Sequence, residues 1–157
     1  MTILRRFLLL MALMFWLGGF TFHAAVVIHI GNDVLSSHLE QGYITGSAAN
    51  YLNLAGAVAL VLWGLDIAVT RDSSIVRRRV RWGLWLILLL SLGVLAWLHV
   101  RLDELLSADF FEILDPPRFY DLHRWYLHIS TVQWGGGLIL TLATLLAWRS
   151  EDIRPQG

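Results

Sequence analysis

Four long apolar runs constrain this chain more than any other feature. They cover residues 7–30, 48–69, 82–100 and 125–148, and the only formal charge in any of them is Asp66. A helix rises about 1.5 Å per residue, so roughly 20 apolar residues cross about 30 Å of bilayer hydrocarbon. A single run of this length can be a buried core helix. Four of them in 157 residues leave too little other chain to cover them. Composition agrees: 57% of residues are hydrophobic and 15% are charged, against about 25% charged in soluble domains. The expected fold is all-α, an integral membrane four-helix bundle formed by residues 1–157 as a single transmembrane domain.

The first run has an alternative reading. Arg5 and Arg6 before an apolar stretch also describe a signal peptide, with His23-Ala24-Ala25 as a weak cleavage site. The stretch continues through Val26, Val27 and Ile28 to Ile30, past the roughly 7–15 residues of a signal core. A retained span is the expectation.

Orientation follows from arginine, which supplies all 12 basic residues. Arg5, Arg6, Arg71, Arg77, Arg78, Arg79, Arg81, Arg149 and Arg154 fall on one side of the four runs. Arg101, Arg118 and Arg124 fall on the other, among six acids. Cytoplasmic loops carry the excess of basic residues. Both termini are therefore expected in the cytoplasm, in a multi-pass protein of the cell inner (plasma) membrane. The Arg77–Arg81 cluster is read as a topology determinant, with an anionic-lipid patch as its alternative. Trp63, Trp82, Trp85 and Trp148 near inner ends, with Trp97 and Trp125 near outer ends, suggest an interfacial aromatic belt. Trp16 and Trp134 lie deeper and read as packing residues.

Gly31-Asn32-Asp33 is expected to stop the first helix, and Ser47 to cap the second. Apolar residues recur at Leu102, Leu105, Leu106, Phe110, Ile113 and Leu114 with acids between them. That periodicity predicts an outer amphipathic helix over 101–114, between spans 3 and 4, ended by Pro116-Pro117. Gly18, Gly19, Gly56, Gly64, Gly93 and Gly135-Gly136-Gly137 mark expected close helix approaches.

The polar residues inside the spans point to one layer. All six histidines lie in the half opposite the arginine-rich side, or beyond it. Helix rise puts His23 roughly 7 Å outward of its span's centre, Asn53 about 8 Å, and His99 and His128 roughly 12–13 Å. Ser130, Thr131 and Gln133 fall between. Polar groups in hydrocarbon are costly unless partnered, so these are expected to face one another inside the bundle. His23, His99 and His128 are candidate cofactor ligands. Asn53, Gln133, Trp16 and Trp134 are candidate pocket residues.

Several readings of that layer remain open. Interhelical hydrogen bonding alone would account for it. Two histidines on different helices could hold haem b, or bind copper. A quinone or lipid could use the same pocket, and transport would require an oligomer; Asp66, the one acid inside a span, lies near its inner end and is expected to be an interfacial residue close to Arg71. No nucleophile–base–orienter set is legible, so no catalytic residue is assigned and the reading leans away from an enzyme. Which metal would bind is unknown. Zero net charge speaks against nucleic acid. With no cysteine there is no disulfide and no thiolate site. The expected partners are the lipid bilayer and a homo-oligomer or other membrane-complex subunit.

Trp16-Leu17-Gly18-Gly19-Phe20-Thr21-Phe22 leads into Ala24-Ala25-Val26-Val27. With Asn50-Tyr51-Leu52-Asn53-Leu54-Ala55-Gly56, it resembles the transmembrane protein 205-like group of small bacterial four-span proteins. That resemblance implies a four-helix membrane bundle and no assigned reaction. The Trp-Leu-Gly-Gly-Phe start is also similar to helices in copper-resistance D-type membrane proteins. That likeness would give His23, His99 and His128 a copper role, although the chain lacks Met-rich or Cys runs.

Overall fold

The computed structural model describes residues 2–35, 37–107 and 112–153. It contains four long helices: α1 Thr2–Val34, α2 His38–Val69, α3 Ile75–Asp103 and α4 Pro116–Asp152. All four are long and apolar enough to cross a membrane. A two-stranded antiparallel ribbon, β1 Leu106–Ser107 and β2 Glu112–Ile113, lies between α3 and α4.

Helix spacing decides which side chains are covered. On α4 the buried residues Tyr126, Ser130, Gln133, Gly137, Leu140, Thr144 and Ala147 alternate four and three apart. That is the seam a helix presents to close neighbours. On α2, Leu54, Val58, Val61 and Leu65 lie along one face and are each more than half exposed. A continuous apolar stripe of this kind needs a non-aqueous covering. Along the chain, α1 packs on α2, α2 on α3 and α3 on α4. The seam between α1 and α4 closes at only a few points. One is Gly137, where an added Cβ would stand 2.9 Å from Leu17 Cδ2. Gly19, Gly56, Gly64 and Gly136 are likewise close to a neighbouring helix, but a Cβ at Gly18, Gly93 or Gly135 would meet nothing within 4 Å.

The tightest polar assembly lies at the end of the helices that carries both termini. Asp66 of α2 is fully buried. Arg81 Nη2 of α3 donates to its Oδ2 at 2.8 Å, and Trp148 Nε1 of α4 reaches both carboxylate oxygens at 3.1 Å. Arg5 Nε of α1 forms an ion pair with Oδ1 at 3.1 Å. One carboxylate thus binds a side chain from each of the other three helices. Arg6 extends the cluster to Glu151 and Asp152, both at 2.9 Å, and lies 5.2 Å from the Trp148 ring centroid. Three guanidiniums (Arg5, Arg6, Arg81) therefore face three carboxylates (Asp66, Glu151, Asp152).

Four expectations need correction here. Asp66 is a core residue rather than an interfacial partner of Arg71. Arg81, expected among the loop arginines, is fully buried because Asp66 stands opposite it on the neighbouring helix. Trp63 and Trp148 are core residues rather than belt residues: Trp63 is fully buried and donates to Thr144 Oγ1 at 2.9 Å. Trp97 and Trp125 are exposed, at 54% and 63%. The fourth concerns residues 101–114, where α3 ends at Asp103 and the ribbon follows, with Leu106 opposite Ile113 and Ser107 opposite Glu112. Continuing the helix would carry the chain roughly 20 Å away, yet α4 packs against α3 and the chain must turn back at once. Phe110 lies outside the described residues.

The helix ends have local causes. Ser74 caps α3 by accepting from Arg77 N, and Asp115 caps α4 by accepting from Arg118 N. Pro116-Pro117 begins α4 rather than ending a preceding helix, because proline's missing N–H has no partner to lose in a first turn. Between α2 and α3, burial pushes the Asp72 carboxyl up. The Arg77 guanidinium, the Ser74 N–H and the nearby Arg81 charge outweigh it and hold it below its ordinary value. The connection from α1 to α2 is much shorter than expected. Gly31-Asn32-Asp33 stays helical and Ser47 lies inside α2; Gln41 Nε2 donates to Ile28 O at 3.0 Å and ties the two helices near this connection.

Asp66→Ala leaves buried guanidiniums without their carboxylate and should cost about 3–5 kcal/mol. The double variant Asp66→Leu/Arg81→Leu should recover most of that loss. Reversible unfolding in mixed micelles at increasing SDS would measure both.

Candidate functional site

At the other end of the helices, all four surround a cavity of about 720 Å³. α1 contributes Trp16, Phe20 and His23. Around Trp16 and His23 the helix widens into two π-helical segments, Met14–Gly18 and His23–Val27. Such widened turns re-aim side chains and often occur at functional sites. Trp16 is 3% exposed, and its indole lies against Gly56 of α2, where an added Cβ would stand 2.7 Å from Nε1. Only glycine leaves room for the ring.

α2 places Asn53 in the wall and α4 places Tyr126, Ser130 and Gln133. Asn53 Nδ2 donates to the Tyr126 hydroxyl at 2.9 Å. Ser130 and Gln133 are each 4% exposed. Gln133 Nε2 points to Leu88 O at 3.5 Å, the long limit of a hydrogen bond. α3 contributes His99, whose ring centroid lies 6.5 Å from that of Tyr126. His99 Nε2 stands 3.4 Å from Asp103 Oδ2, at the rim. His123 and Tyr120 of α4 also line the cavity, and the His123 ring stacks on Phe119 at 6.0 Å.

The expected site residues divide as follows. His23, His99, Asn53, Gln133 and Trp16 line this one cavity. His128 does not; it is exposed and meets the Trp125 ring edge-on at 6.4 Å. Trp134 lies in an adjoining crevice, where its Nε1 donates to Thr21 Oγ1 at 3.0 Å across the α1–α4 seam. Tyr126 and His123 were not anticipated. Tyr126, Ser130 and Gln133 are spaced four and three apart, which puts them on one helix face. That spacing would have identified Tyr126 and placed His128 on another face.

The donor arrangement suits hydrogen bonding better than metal ligation. Among the described residues, no group of three or more His, Cys, Asp or Glu side chains is disposed to hold a metal ion. His23 of α1, His99 of α3 and His123 of α4 all line the cavity. No protein-family model matches the chain, and comparison with curated proteins and with solved structures finds no significant relative.

Tyr126→Phe removes the acceptor for the Asn53 amide and leaves it unpaired, which should cost about 1–3 kcal/mol. Adding Asn53→Leu should restore much of the loss, as read by thermal unfolding of the detergent-solubilised protein.

Proposed function

We propose that this is a multi-pass inner-membrane protein, a four-helix bundle with both termini in the cytoplasm, that binds a small amphipathic molecule drawn from the outer leaflet. The role is binding rather than catalysis. The observation that carries this reading is the cavity itself: polar side chains from all four helices project into a wall that is mostly apolar and aromatic. Its volume, about 720 Å³, falls within the roughly 300–1,000 Å³ of small-molecule pockets. The nine-to-three distribution of arginines supports the direction. The four helices long and apolar enough to cross a membrane support the multi-pass architecture.

A second reading, haem b held by His23 and His99, is supported by their lining the same cavity. The Asp103 carboxylate beside His99 Nε2 weakens it. A Soret band in the purified protein, abolished by His23→Ala, would favour haem over the amphipath.

Native mass spectrometry of protein released gently from membranes should show an adduct of small-molecule mass. Ser130→Phe, which fills the cavity, should remove it, and an adduct retained by this variant would place the ligand elsewhere. The chain's lack of cysteine permits a clean test of direction. A cysteine at Asn32 should react with an impermeant maleimide in intact cells, and one at Ser73 only after permeabilisation. The reverse pattern would overturn the orientation.

A further inference from the structure

The cavity wall has a charge signature that narrows its ligand. Among the described residues no arginine lines it, and the connecting residues 108–111 contain none. The three arginines on this side of the chain are exposed, and two of them pair locally, with Glu104 at 2.8 Å and with Asp121. A phosphate headgroup taken out of water is held best by guanidinium or ammonium groups, and the described wall contains neither. Among the described residues the one carboxylate in the wall, Asp103, has a 61% exposed side chain and faces His99 at the rim. Below it stand the uncharged Asn53, Ser130 and Gln133, with His23 across from them on α1.

Those deeper groups are placed as donors. The Tyr126 oxygen accepts from an amide, so its own hydrogen is directed elsewhere. The Gln133 amide is held only by a 3.5 Å contact. Ser130 adds a hydroxyl one helical turn away on the same face. Trp16, whose indole packs against Gly56, adds an aromatic side chain to the wall. Neutral donors beside an aromatic wall, with apolar surroundings, match an uncharged ring that bears carbonyl oxygens.

Building on the amphipath-binding reading, we infer that the ligand is of the quinone class: an uncharged, carbonyl-bearing ring on an apolar tail. The test uses three photoactivatable probes in nanodiscs of phosphatidylcholine: an azidoquinone, a diazirine phosphatidylglycerol and a diazirine alkyltrimethylammonium. The full chain is illuminated with each, and labelled peptides are mapped by mass spectrometry. The azidoquinone should label the peptides containing Trp16 and Tyr126 saturably, and a short-chain quinone in excess should suppress the label. Gln133→Leu should weaken half-saturation roughly five- to tenfold, the scale of one lost hydrogen bond, while circular dichroism stays unchanged. Ser130→Phe should abolish saturable labelling. Saturable labelling of those peptides by the anionic or the cationic probe instead would overturn the quinone class while leaving an amphipath site in place. Saturable labelling by none of the three would overturn both readings. Azidoquinone labelling indifferent to Gln133→Leu and to Ser130→Phe would assign the label to the lipid-facing surface and overturn the quinone site.

Discussion

One buried carboxylate organises the structure. In hydrocarbon, apolar side chains have no reason to prefer one another over lipid tails, so helix association depends on close packing and on polar contacts. Asp66 receives a bond or ion pair from α1, α3 and α4 at once. An error of one turn in any of those helices would leave a buried charge unmatched, which is far more costly than a repacked leucine. The cluster therefore acts on register more than on net stability. Arg81 itself keeps Nε and Nη1 without a hydrogen-bond partner in the protein, as expected of a contact shaped for position rather than for full satisfaction.

Tying the helices at one end leaves the other free to differ. Between Gly19 and Val34, α1 has no buried residue, whereas Leu9, Leu13, Trp16 and Leu17 are all covered. This loosely covered half of α1 is one wall of the cavity. Its few attachments there are specific: Gln41 to Ile28 O, and Trp134 to Thr21. One π-helical segment, Met14–Gly18, ends where this region begins and the other, His23–Val27, lies within it, so the helix changes its winding where it stops being a packing element and becomes a wall. Close packing and an open cavity coexist because they occupy different lengths of the same helices.

The helices were legible in the sequence because length and apolarity are local properties. The polar layer was legible too: helix rise alone grouped His23, Asn53, His99 and Gln133, which the cavity brings together. Facing was harder. Depth says nothing about direction around a helix, so His128 shared a level with His99 while pointing away from it. The buried ion pair was concealed by a sound rule applied one residue too far. An arginine next to a loop is usually exposed, but Arg81 lies six residues into α3 and Asp66 three residues from the end of α2, and the short turn between them brings the two together. The ribbon of Leu106–Ser107 and Glu112–Ile113 was hidden for another reason. Apolar periodicity registers a preference for one face, while the need to turn back beside α3 is set by tertiary packing.

Burial of Arg81 bears on the proposed direction in the membrane, because that arginine belongs to the basic side. Setting it aside leaves eight arginines against three, and the bias keeps its sign. Basic residues act on topology as segments leave the insertion machinery, before the helices have packed. The charge that retains a loop in the cytoplasm can therefore later be drawn into a folded core. In the proposed orientation Arg5, Arg6 and Arg81 would serve in this way, first as cations that set direction and then as the partners of Asp66, Glu151 and Asp152 that the structure shows. Arg71, Arg78, Arg79 and Arg149 stay exposed on the same side, where the anionic surface of a cytoplasmic leaflet would stabilise them.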